Sequence, residues 1–131
     1  MKKSYPKTIV TKVRMSHEAF ENMRRVMNYF RGLSSVIGRK VSFPVAIRHC
    51  VQFAAEQIKH SKCSETDIKE AIDHRSIETD EAYVIGFPEY EAIDIDRLVL
   101  DAGVINGRRV RKTEFICGLA NWGAIRYMAD K

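Results

Sequence analysis

The chain has 131 residues, 45% of them apolar and 30% charged. That is ordinary globular composition for one domain, and it excludes both a disordered chain and a large barrel enzyme. Lys plus Arg number 22 against 17 Asp plus Glu, a formal charge of +5, and an odd count of three cysteines excludes a fully paired disulfide framework and suits a reducing compartment.

Residues 8–15, Thr8 to Met15, are rich in β-branched side chains and alternate as a strand does. Thr11, Val13 and Met15 face one side; Val10, Lys12 and Arg14 face the other. Ser16 is a good N-cap, and Ala19, Phe20, Met23, Val26, Met27 and Phe30 follow at helical spacing, so a first helix is expected to end near Arg31-Gly32. A connector through Gly38, Arg39 and Lys40 leads to Ser42, which caps a second helix with Pro44 in its first turn. Val45, Ile47, Val51, Ala54, Ala55 and Ile58 form that helix's apolar stripe.

Ser64 and Asp67 have the spacing of a capping box and open a short helix through Ile68, Ala71 and Ile72. Tyr83, Ile85 and Phe87 alternate as a second strand ended by Pro88, with Ala82, Val84 and Gly86 on its outer face. A third main helix spans residues 89–102, with Gly103 beyond its end. The connector to the last helix holds Arg108, Arg109, Arg111 and Lys112. Thr113 is the expected cap, and Phe115, Ile116, Leu119, Trp122 and Tyr127 are the inner residues.

Strand, helix, helix therefore recurs after an acidic link, at a spacing of roughly 70 residues. Charge follows the same division: residues 1–60 carry a net +9, residues 61–100 a net −7 and residues 101–131 a net +3. Two basic segments flanking an acidic one point to a polyanion partner. A strand with two helices cannot close a core alone, because its edges stay unpaired. Two such units can, by pairing their strands antiparallel and packing the helices behind the ribbon.

At this point the sequence resembles the ribbon-helix-helix family, the Arc/MetJ/CopG class of DNA-binding proteins. The resemblance rests on the run from Thr11 to Phe20, on Gly38-Arg39-Lys40 and on Ala46-Ile47-Arg48. In the second half it rests on Phe87-Pro88-Glu89 and on the run from Thr113 to Ile116. Two units in one chain resemble the TraY-type proteins of conjugative plasmids. The implied fold is mainly α with a two-stranded antiparallel β-ribbon, a tandem ribbon-helix-helix pseudo-dimer. It makes residues 1–131 a single domain of two intertwined units, 8–60 and 82–131, joined by an acidic linking helix and loop over 61–81.

The resemblance further implies sequence-specific binding of double-stranded DNA, with the ribbon in the major groove and Val10, Lys12 and Arg14 at base edges. Phosphates would be held at the starts of the second helix of each unit, by Ser42 and Phe43 with Arg39 and Lys40, and by Lys112 and Thr113 with Arg108, Arg109 and Arg111. Cations at a helix N-terminus oppose the helix dipole, and a bound anion removes that conflict. The outer residues of the second strand, Ala82, Val84 and Gly86, carry no side-chain donor, which argues against a symmetric operator. The implied role is a relaxosome accessory factor or a transcriptional repressor, with a relaxase and further copies of the chain on DNA as candidate partners. The competing expectation is a protein-interaction module, such as an antitoxin whose acidic middle engages a basic partner.

No chemistry competes with this reading. Cys50, Cys63 and Cys117 form no C-x-x-C pair, and His60, Cys63 and His74 lack a fourth metal ligand. His49 and Cys50 are adjacent on a helix and point apart. There is no phosphate-binding glycine loop. The expectation is a protein with no enzymatic activity, cofactor or metal. Met1, Lys2 and Lys3 are followed by Ser4, Tyr5, Pro6 and Lys7 rather than by an apolar run, so a cytoplasmic address without membrane attachment is expected.

Overall fold

In the computed structural model, residues 7–37, 42–60, 65–73, 82–107 and 109–129 are described. The elements run β1 (Thr8–Arg14), α1 (His17–Ile37), α2 (Phe43–Lys59), α3 (Glu65–Asp73), β2 (Ala82–Pro88), α4 (Glu89–Asn106) and α5 (Lys112–Met128). Among the described residues the architecture is mainly helical, with one two-stranded antiparallel sheet.

The strands pair over their full length, from Thr8 opposite Pro88 to Arg14 opposite Ala82, with Thr11 and Ile85 at the centre. Period-two alternation buries Val13, Ile85 and Phe87. Helices complete the other side of this core: β1 lies on α5 and β2 on α2, so each strand rests on a helix distant from it in sequence. Glu89 begins α4 beside the start of β1, its N–H donating to the Lys7 carbonyl at 2.9 Å.

The centre of the molecule is α5. From Phe115 to Ala124 every residue is buried, as expected of a helix surrounded by protein on all sides. It packs against α1, α2, α3 and β1. Its one buried amide, Asn121, accepts from Asn22 Nδ2 at 2.7 Å, which satisfies a polar group that would otherwise be costly inside. Gly123 lets α5 approach the α2 backbone at Cys50, where a Cβ would collide with the carbonyl oxygen.

Four sequence expectations are corrected. First, α1 does not stop at Gly32 but continues to Ile37; a glycine inside a helix costs about 1 kcal/mol, which the flanking turns outweigh. Second, α4 runs through Gly103 and ends at Asn106. Gly107 supplies the left-handed turn, at φ 74°, and its N–H reaches the Val104 carbonyl. Third, Thr113 does not cap α5. Arg111 holds the N-cap position without a side-chain cap bond, and its carbonyl accepts from Phe115 N–H at 2.9 Å. The burial of Val110 and Phe115 draws the chain into the helix before Thr113. Fourth, Val45 is exposed: the buried face of α2 is Ala46, Ile47, Cys50, Val51 and Ala54, and Val45 falls outside that arc. Ser64 of the expected capping box lies outside the described residues, whereas Asp67 pairs with Arg126 at 3.2 Å.

Candidate nucleic-acid interface

The outward row of β1 is Thr8, Val10, Lys12 and Arg14, all exposed. That of β2 is Ala82, Val84, Gly86 and Pro88, of which Val84 and Gly86 are exposed and the two ends half-buried. Val10 at 65% and Val84 at 60% exposure are unusually open for valines, because none of the described elements lies over this face. Across the strands Val10 stands opposite Gly86, Lys12 opposite Val84 and Arg14 opposite Ala82. Sequence reasoning missed Thr8; it shares the parity of Val10, Lys12 and Arg14, and extending the alternation by one pair finds it. Its methyl group occupies the space left by Gly86, 3.0 Å from where a Cβ would stand.

Of the expected phosphate-holding residues, Arg39, Lys40 and Arg108 lie outside the described residues. Ser42 caps α2 as expected, its Oγ accepting from Val45 N–H at 3.5 Å. Phe43 is a packing residue. Its ring stacks on Phe20 of α1 at 5.0 Å and on Tyr83 of β2 at 5.5 Å. Tyr83 pairs with Val13, so this stack fixes the N-terminus of α2 at the Lys12/Arg14 end of the ribbon.

At the start of α5, Arg109, Arg111 and Thr113 are exposed. Lys112 Nζ lies 2.8 Å from Asp96 of α4, and Arg111 lies 3.9 Å from Glu114. The i,i+3 pair could be read from sequence; Lys112–Asp96 joins two elements and could not. Each pair has one partner more than half exposed and the other about one-third exposed, so each is weak and screened by salt.

Elsewhere, Glu91 is buried and held in two bonds of 3.0 Å by the Arg48 guanidinium, which ties α4 to α2. The hydrogen bond to Glu91 and the nearby carboxylate charge hold the guanidinium's pKa above its ordinary value against the opposing effect of burial. His49 lies edge-on to Phe30 and to Tyr127, both at 4.8 Å, inside an aromatic cluster. Burial pushes the neighbouring Cys50 thiol up to about 12, the wrong direction for a nucleophile. Among the described residues no three His, Cys, Asp or Glu side chains gather as metal ligands. No described helix is long and apolar enough to cross a membrane. No family model, curated protein or solved structure matches the chain.

Proposed function

We propose that the chain is a tandem ribbon-helix-helix pseudo-dimer that binds double-stranded DNA sequence-specifically, laying the outer face of its β-ribbon in the major groove. The observation that carries this reading is the exposed row Val10, Lys12 and Arg14 on an antiparallel two-stranded ribbon, with none of the described elements packed over it. A ribbon of this width fits the major groove, and Lys and Arg side chains there match guanine O6 and N7. The repeated order of strand, helix and helix supports the tandem arrangement, as does the resting of each strand on the other unit's second helix. The chain's role in this reading is binding without catalysis, as a relaxosome accessory factor or a repressor in the cytoplasm, with a relaxase and neighbouring copies on the DNA as partners.

The test is fluorescence anisotropy with labelled duplexes from the native replicon, compared with scrambled duplexes over a salt series. Arg14→Ala is expected to lower the preference for the cognate site by about 5- to 150-fold, the equivalent of about 1–3 kcal/mol for one bidentate base contact. Non-specific binding and thermal stability should stay nearly unchanged, because Arg14 is outside the core. A site preference equal to wild type in Arg14→Ala, or no duplex binding at low salt, would refute the reading.

A further inference from the structure

The ribbon face is built unevenly. A half-turn about the centre of the Thr11–Ile85 pair exchanges the two strands. It carries Val10 onto Val84, Lys12 onto Gly86, Arg14 onto Pro88 and Thr8 onto Ala82. The two exposed valines are thus matched by the rotation, and the two cations are not. One end of the face presents Lys12 and Arg14 beside Val84 and Ala82. The other presents Val10 and Thr8 beside Gly86 and Pro88. Gly86 has no side chain, Pro88 has no N–H to donate, and the Thr8 methyl fills the space above Gly86. The N-terminus of α2 is stacked at the charged end through Phe43 and Tyr83.

We infer that the ribbon reads duplex DNA with a direction, taking a non-palindromic site with guanine contacts in one half only. This rests on the proposed DNA reading. The matched valines are apolar and exposed, which suits thymine methyl groups in twofold-related positions. Lys12 and Arg14 are suited to guanine, and their strand positions are about 6.8 Å apart, close to two base-pair steps of about 3.4 Å. Neither Gly86 nor Pro88, at the rotated positions, has a side-chain donor to read guanine in the other half. The chain therefore sits on its site in one orientation.

Selection of full-length chain on a random duplex library tests this. The expected motif has thymine preference in both halves and guanine preference in one. A synthetic palindrome carrying the guanine half twice should bind at most about twofold more tightly, the statistical factor for two equivalent orientations. In a Thr8→Ala/Gly86→Lys variant, shown folded by circular dichroism, guanine preference should appear in the second half as well. A palindromic wild-type motif with guanine in both halves, or a palindrome bound more than about fivefold more tightly, overturns the inference and leaves the DNA reading standing. Failure to enrich any motif overturns both.

Discussion

Two glycine-to-alanine substitutions, both inside helices, are expected to act in opposite directions. Helix propensity alone favours alanine over glycine by about 1 kcal/mol at either position. Gly32 in α1 has nothing within 4 Å of where a Cβ would stand, so Gly32→Ala should gain about 0.5–1 kcal/mol. Gly123 in α5 faces the α2 backbone: a Cβ there would meet the Cys50 carbonyl oxygen, its carbon at 3.0 Å and the Ala54 Cβ at 3.3 Å. A carbonyl inside a helix cannot rotate aside as a side chain can, so α2 and α5 must separate. Overpacking costs about 1–3 kcal/mol, and a backbone obstacle belongs at the upper end of that range. After the propensity gain, Gly123→Ala should lose about 2 kcal/mol. For a chain of this size 1 kcal/mol corresponds to about 4 °C in Tm. Thermal unfolding followed by circular dichroism should thus show Gly123→Ala melting about 8 °C lower and Gly32→Ala about 2–4 °C higher. Because β2 rests on α2 and β1 on α5, forcing these helices apart should also weaken DNA binding at temperatures where the variant is still folded. A Gly123→Ala protein as stable as Gly32→Ala would refute the close crossing.

Changing Arg109 and Arg111 together to Ala should weaken binding to all duplexes alike and lower the salt slope by about 1–2, the value for one or two phosphate contacts; an unchanged slope would show that this cluster does not touch phosphate. Arg48→Ala leaves the Glu91 carboxylate buried without its guanidinium. It should cost about 2 kcal/mol in chemical denaturation, less than the about 3–5 kcal/mol of a fully buried pair because the Arg48 side chain is 40% exposed; replacing both residues by apolar ones of similar volume should recover most of the loss. Cys50 should resist thiolate-seeking reagents at pH 8 in the folded chain, as located by peptide mass spectrometry. With the folded value near 12 above the ordinary 9.0, its contribution to stability is complete below pH 9 and is lost as the pH rises from there towards 12. Rapid labelling of Cys50 at pH 8 would contradict its burial.

The ribbon is legible in sequence because its signal is local. Alternation in Thr8–Arg14 and Ala82–Pro88 fixes which side chains face out, and a register error there would expose Val13 or Phe87. The order of all seven elements can be read for the same reason. Helix ends are less legible. Gly32, Gly103 and Gly107 look alike in sequence, and only the third takes a positive φ, because the turn after Asn106 must reverse the chain. Thr113 suits a cap by residue type, but the burial of Val110 and Phe115 sets where α5 starts. The residues proposed to hold phosphate are legible only as a charged cluster. That Phe43 is held between two rings, and that Lys112 meets Asp96, depends on elements brought together by folding, which no local pattern encodes.

In the proposed tandem arrangement, joining two units in one chain has a consequence for what the ribbon can recognise. A homodimer of one strand-helix-helix unit must present the same strand twice, so its outer face has twofold symmetry and its best site is a palindrome. Here the paired strands are different sequences, and the register brings Lys12 to a position whose rotated counterpart is Gly86. Such a face cannot be assembled reliably from free units, because each could equally pair with its own kind. Covalent linkage makes the mixed pairing intramolecular and raises its effective concentration far above that of any competitor. The core can then remain nearly symmetric, with Val13 and Phe87 buried at matched positions, while the outer residues diverge. On the proposed DNA reading, the linkage between the units would serve recognition as much as stability: it would hold one arrangement of unlike strands, and hence one orientation on DNA.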